Sequence, residues 1–154
     1  MKKRFITCLL IITSVLSFAQ DSEVVHHQVS FTQDSAHVVM TITLAIDSSW
    51  IVYDSIAGED GPIPFSILLE DPSIATIESI IKPKRHKKHD ELFEMDIYYL
   101  KGTVRYVIKF SKNVVNSTGL LAGSYELMSC NLSSGVCLPP AQHSFSCAVG
   151  PPEK

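Results

Sequence analysis

Hydrophobic and polar positions alternate with a period of two along most of this chain. Val25, His27, Val29 and Phe31 alternate with Val24, His26, Gln28 and Ser30. Val38, Met40, Ile42, Leu44 and Ile46 form a longer run against Val39, Thr41, Thr43 and Ala45. Successive side chains of a strand point to opposite faces, so these runs predict strands with one face in a core. Gln33-Asp34-Ser35 supplies a turn between them, and Asp47-Ser48-Ser49 another before a short aromatic strand, Trp50-Ile51-Val52-Tyr53. A loop rich in Gly and Pro over 54–64 precedes the apolar segment 65–69. After Asp71-Pro72-Ser73 the pattern is mixed. Ile74, Ile77 and Ile80 recur at helical spacing, yet β-branched residues favour a strand, and a strand is the reading taken. Residues 95–100 and 103–110 flank Lys101-Gly102 and predict a hairpin, with Val104, Tyr106, Ile108 and Phe110 on one face. Residues 122–129 form a strand leading into a cysteine segment, and His143, Phe145, Cys147 and Val149 mark a last strand before Pro151-Pro152.

About seven to nine short strands separated by turns imply an all-β chain, an immunoglobulin-like antiparallel β-sandwich. The Trp that lies between paired cysteines in antibody-like domains is missing. There is no internal repeat and no linker that would divide the chain, and the length suits one domain.

The amino terminus changes the picture of where such a domain works. Lys2, Lys3 and Arg4 precede an apolar run from Phe5 to Leu16 too short to span a bilayer, and Ser17-Phe18-Ala19 supplies a small-x-small cleavage site. Residues 1–19 therefore read as a signal peptide and 20–154 as the exported domain, periplasmic or secreted. Cys8 lies in the apolar run and leaves with the signal. No later segment carries the roughly eighteen continuous apolar residues of a membrane span, so no stable anchor is expected after cleavage. The chain carries 13 Lys+Arg against 16 Asp+Glu, and loss of Lys2, Lys3 and Arg4 makes the remainder more acidic. That balance argues against nucleic acid as the main partner. Basic residues concentrate over 82–89, followed at once by Asp90, Glu91, Glu94 and Asp96. The plain reading is a solvated loop with compensating charges; the sharper one is a mobile loop beside a functional site.

Chemistry concentrates in Tyr125–Pro140, which reads Y-E-L-M-S-C-N-L-S-S-G-V-C-L-P-P. Strand-like residues lead into it, which puts Cys130 and Cys137 on the arms of a hairpin or tight loop, where a bond needs Cα atoms about 4.4–6.8 Å apart. An oxidising compartment permits disulfides, and three cysteines beyond the signal leave one over, for which Cys147 is the candidate. Closing a loop of about eight residues removes roughly 2.5 kcal/mol of chain entropy, against about 4.7 for a hundred-residue loop. A structural staple is better placed between distant strands, whereas exposed local pairs are more readily exchanged. Pro139 and Pro140 have no N–H to give to a neighbouring strand, so the chain past Cys137 stays unpaired and accessible. No C-x-x-C motif is present, so this is not a thioredoxin active site.

The Tyr125…Cys130…Cys137-Leu138-Pro139-Pro140 segment resembles the active-site hairpin of the N-terminal periplasmic domain of the thiol:disulfide interchange protein DsbD. Asp47–Tyr53 is similar to that family's aromatic strand beside the cysteines, with Tyr53 matching its flanking tyrosine. His89-Asp90-Glu91-Leu92-Phe93 resembles its cap loop, in which acids precede a Phe that covers the pair. The resemblance implies an immunoglobulin-like sandwich whose Cys137 forms the mixed disulfide with partners and whose Cys130 resolves it. It implies that Phe93 shields the pair between dockings, and that Asp90, Glu91 and Tyr53 line the site. The insert between the cysteines is longer by about one residue than in the best-known members, which bears on local geometry. The partners implied are thioredoxin-like or other disulfide-exchange proteins. With neither the membrane electron-conducting domain nor the thioredoxin-like domain of full-length DsbD in this sequence, a separate membrane electron donor is a further expected partner. The domain is then a component of a protein-disulfide reductase system and needs no cofactor.

Two other readings stand beside this one. A non-catalytic immunoglobulin-like binding or adhesion domain would use the Cys130–Cys137 bridge only to pin a loop. A copper site drawn from Met128, Cys130, Cys137 and His143 has no upstream His with diagnostic context, and no metal is expected. His27 and His143 read as structural residues, and Cys147 as a thiol packed like a small hydrophobe. Asn116-Ser117-Thr118 and Asn131-Leu132-Ser133 are formal glycosylation sequons.

Overall fold

A computed structural model describes residues 23–56, 61–91, 93–113 and 119–150. The signal peptide, the first sequon and Leu92 lie outside the described residues. The described residues form eleven strands: β1 (Val25–Gln33), β2 (His37–Ile46), β3 (Trp50–Ile56), β4 (Ser66–Leu69), β5 (Ala75–Ile81), β6 (His86–Asp90), β7 (Met95–Leu100), β8 (Thr103–Lys112), β9 (Gly119–Leu127), β10 (Ser129–Asn131) and β11 (Ala141–Val149). Three antiparallel sheets result, ordered β1-β2-β8-β5, β10-β3-β7-β6 and β11-β9-β4. The fold is an all-β, immunoglobulin-like sandwich.

The period-two pattern of β2 determines its burial: Val38, Met40, Ile42, Leu44 and Ile46 are buried while the residues between them are partly exposed. These side chains meet Tyr106, Ile108 and Phe110 of β8 and, from the third sheet, Leu121, Tyr125 and Phe145. Each such side chain contributes about 1.5–3 kcal/mol by leaving water. Phe65, just ahead of β4, stacks on Tyr106 with ring centroids 3.9 Å apart. Gly123 of β9 is required by packing: a Cβ there would lie 2.3 Å from the Leu68 carbonyl oxygen and 2.7 Å from the Phe145 ring.

Residues 54–56, expected in a loop, extend β3 instead, and two larger expectations fail, each for a physical reason. Residues 95–100 and 103–110 do not form a hairpin. Gly102 sits at φ +68 and turns the chain, but β7 pairs with β3 and β6 while β8 pairs with β2 and β5. The turn residue sets a change of direction; burial decides the partner. Ile97 of β7 belongs to a small cluster with Ile51, Tyr53 and Cys130, whereas Tyr106, Ile108 and Phe110 belong to the main core. The chain therefore crosses between layers at Lys101-Gly102.

The basic stretch is also not wholly a loop. Its second half is edge strand β6, paired with β7 from His86↔Tyr99 to Asp90↔Met95. Acid partners make this tolerable: Lys87 lies 2.7 Å and His89 3.3 Å from Asp96 carboxylate oxygens, and Lys88 lies 3.1 Å from Asp90. Charged side chains are a common way to keep an edge strand from pairing indiscriminately.

Strand β3 is buried along Ile51–Asp54 on both faces. Asp54 is 1 % exposed, and it accepts a hydrogen bond from the Tyr106 hydroxyl at 2.6 Å, across the interface between sheets. Lys82 and Arg85, in the segment entering β6, reach the same carboxylate at 3.3 and 3.4 Å. Arg85 also lies over the Tyr98 ring, 4.2 Å from its centroid. Burial first, then the bond to Asp54, pushes the Tyr106 hydroxyl well above its ordinary pKa. Tyr106→Phe keeps the stack on Phe65 and removes only the bond to a buried carboxylate. It is expected to cost about 2 kcal/mol, read as a lower urea midpoint at unchanged slope; an unchanged midpoint would show that the bond between sheets contributes nothing.

Candidate redox site

The cysteines are brought together by a short hairpin appended to the edge of the second sheet. Strand β10 pairs with β3 in the register Ser129↔Val52, Cys130↔Ile51 and Asn131↔Trp50. The returning arm is held by two backbone bonds, Asn131 N–H to Val136 O at 2.8 Å and Leu138 N–H to Ser129 O at 2.9 Å. These bonds flank Cys130 and Cys137, which places them opposite each other at a non-hydrogen-bonded position, where side chains approach most closely. Cys130 and Cys137 form a disulfide across this bridge, with Cα atoms 4.0 Å apart, closer than the usual span of about 4.4–6.8 Å.

Asn131 shapes the insert. Its Oδ1 accepts from the N–H groups of Ser133 and Ser134 at 2.9 and 3.0 Å, an Asx turn, and its carbonyl accepts from Gly135 N–H at 2.9 Å. Gly135 sits at φ +70, which a residue with a Cβ rarely adopts. Past Leu138, Pro139 and Pro140 are exposed and outside any strand before β11 begins at Ala141.

All six candidate residues line one cleft of about 340 Å³: Tyr53 from β3, Asp90 from β6, Glu91 and Phe93 from the connection to β7, and Cys130 and Cys137. Cys130 is buried, at 4 % exposure, and Cys137 is half-buried. Phe93 is half-buried, and Glu94 behind it takes φ +52 where the chain turns into β7. Burial, and then the nearby Asp90 carboxylate, raise the pKa of the Tyr53 hydroxyl. Ile51, Lys88, His89 and Asn131 complete the lining with Leu132 and Gly135 of the insert, and sequence reasoning gave Ile51, Lys88 and Asn131 no role in the site. For Asn131 a signal exists: Asn-x-Ser-Ser-Gly is Asx-turn chemistry. For Lys88 there is none, because its place depends on β6 being a strand.

The remaining candidates lie elsewhere. Tyr125 is in the main core, its ring 5.1 Å from that of His143 and 6.1 Å from Phe65. His143 faces His27 across the seam between β11 and β1, with centroids 4.1 Å apart; burial, then His27, lowers its pKa. Cys147 is a free, half-buried thiol packed against the main core, and burial raises its pKa. Among the described residues no group of three or more His, Cys, Asp or Glu is arranged to hold a metal ion.

No protein-family model and no curated protein sequence matches this chain. A solved structure does: the N-terminal domain of DsbD from Neisseria meningitidis, in its reduced form. It superposes with a TM-score of 0.56 at 14 % identity, over 80 % of this chain and 86 % of that one. The fold is that of a DsbD N-terminal domain. At this identity the likeness to DsbD concerns the scaffold, and the chemistry has to be argued from the residues in the cleft.

The hairpin geometry gives a direct test. Asn131→Ala removes the acceptor of two backbone N–H groups and is expected to cost about 1 kcal/mol with the disulfide intact. Asn131→Asp keeps an acceptor at the same place and should unfold in urea near the wild-type midpoint. Equal losses in both variants would contradict this account of the turn.

Proposed function

We propose that this chain is an exported thiol–disulfide exchange domain that passes reducing equivalents between thioredoxin-like partners through Cys130 and Cys137. In this reading residues 1–19 are the export signal, residues 20–154 the working domain, and the compartment the periplasm or the cell exterior. The observation that carries it is the unequal burial of the two cysteines. Cys130 is buried against Ile51 and Ile97, while Cys137 is half-buried at the cleft, next to an exposed segment with two prolines. Exchange proceeds by attack of a thiolate on one sulfur of a disulfide, and access selects which sulfur forms the mixed intermediate.

In the reducing direction the Cys137 thiolate attacks the partner's disulfide. A bond from Cys137 to one partner sulfur forms, and the other partner sulfur leaves as a thiolate. The Cys130 thiolate then attacks the Cys137 sulfur, re-forms the intramolecular bond and expels the second partner sulfur. Two electrons pass to the partner, and its two thiolates take up the protons that the cysteines gave up. Run backwards with a second thioredoxin-like protein or a separate membrane electron donor, the same steps restore the dithiol. The electrons travel in the sulfur–sulfur bond itself, so no cofactor is called for. Phe93 shields the pair until docking displaces it, and Asp90, Glu91 and Tyr53 form the polar wall against which it closes.

Two outcomes test this reading. Reduced Cys130→Ser is expected to capture a thioredoxin-like partner as a stable mixed disulfide, while Cys137→Ser captures none; equal inertness, or a reduction potential below about −300 mV, would mark the bridge as structural. Phe93→Ala is expected to speed reduction of the native disulfide by dithiothreitol on the order of tenfold, equivalent to about 1.4 kcal/mol of barrier. A rate equal to wild type would remove Phe93 from its shielding role.

A further inference from the structure

Nucleophilic sulfur is governed by the charges around it, because the thiolate is the attacking form and nearby anions disfavour it. The cleft holds two carboxylates, Asp90 and Glu91, and the Tyr53 hydroxyl. Asp90 is the buried one of the two acids. Standing alone, these groups would oppose a thiolate at Cys137. Strand β6 supplies the counterweight. Lys88 and Asp90 are two residues apart on a strand, so their side chains fall on one face, and the Lys88 ammonium lies 3.1 Å from the Asp90 carboxylate.

Among the described residues that line the cleft, Lys88 is the only lysine or arginine. Of the neighbouring bases, Lys87 and His89 pair with Asp96, and Lys82 and Arg85 with Asp54. The Lys88 side chain is 36 % exposed and that of Asp90 11 %. The pair therefore sits between cleft and solvent, where water screens it less than it would a pair at the open surface.

We propose that Lys88 is a positioning residue for the cysteine pair: its ammonium holds the Asp90 carboxylate at the cleft wall and offsets its charge, so that a thiolate at Cys137 meets an ion pair and not a net negative charge. The inference rests on the exchange function proposed above and adds how the site is tuned. It also gives one member of the basic stretch a task distinct from solubility. The charged or titratable groups that share the cleft with Cys137 are then Tyr53 from β3, Lys88, His89 and Asp90 from β6, Glu91 beyond it, and Cys130 from β10.

The test uses the fully reduced protein and iodoacetamide, with alkylation at Cys137 followed by peptide mass as a function of pH. Lys88→Met is expected to move the midpoint up by about half a pH unit or more. Lys88→Arg should stay near wild type. Asp90→Asn, which leaves the ammonium unopposed, should move the midpoint down, and Lys88→Met/Asp90→Asn should return close to wild type. A purely structural Lys88 would show no such cancellation, since a loosened strand is not repaired by removing a second charge. The proposal is overturned if Lys88→Met superimposes on wild type, if the double variant keeps the full shift, or if Asp90→Asn leaves the midpoint in place. Alkylation needs no partner protein, so a failure of partner capture and a failure of this charge pairing are separate results.

Discussion

Strand β3 faces hydrophobic surroundings on both sides, and the site depends on that. Val52 points into the main core with Leu44, Tyr106 and Leu127, while Ile51 and Tyr53 point the other way, into a cluster with Ile97 and Cys130. A strand buried on one face only would have its outer surface in water and nothing to hold a further hairpin. Because β3 is anchored through Val52, its other face becomes a rigid floor, and β10 adds to its edge through three residue pairs. The cysteine hairpin thus rests on a strand fixed by the core. A cysteine pair held this way keeps its geometry better than one on a free loop.

Charge does for the cleft's outer wall what packing does for its floor. An unpaired carboxylate at the depth of Asp54 would cost several kcal/mol. It instead takes a hydrogen bond from Tyr106 in the first sheet and the cations Lys82 and Arg85 from the chain that becomes β6. The same buried acid therefore ties the two layers together and steers the entry to the strand that carries Lys88 and Asp90. Farther along, Asp96 of β7 takes up Lys87 and His89. Much of the basic stretch is compensated piece by piece: Lys82 and Arg85 by Asp54, Lys87 and His89 by Asp96, and Lys88 by Asp90 of the same strand.

That piecewise compensation explains what was legible in the sequence and what was not. The alternation in β2 announces a half-buried strand, because a period of two depends only on the local backbone. Partner choice depends on the whole molecule. Lys101-Gly102 carries sound turn chemistry, yet β7 and β8 part there because Ile97 and Tyr106 belong to different clusters. Residues 86–90 look too charged for a strand until Asp96 and Tyr99 are seen across the register. The candidate site residues were legible one at a time, from the cysteine spacing and from resemblance of short segments. Their meeting in one site followed only from that resemblance and not from the local pattern of the residues, since it requires β3, β6 and β10 to share one sheet. Lys88 went unnoticed for the same reason.

In the proposed function the bond opens and closes in service of other proteins and must not also hold up the fold; the two clusters would separate these duties. The main core runs from Val25 to Val149 and contains neither Cys130 nor Cys137; both belong to the smaller cluster around Ile51 and Tyr53. The hairpin that joins them keeps its backbone bonds through Asn131, Val136, Ser129 and Leu138, and none of these requires the sulfurs to be linked. Opening the disulfide releases only the small entropy of a short loop and leaves the large apolar contacts in place. Opening the bond therefore costs the scaffold about half of what opening a staple across a hundred-residue loop would, roughly 2.5 against about 4.7 kcal/mol.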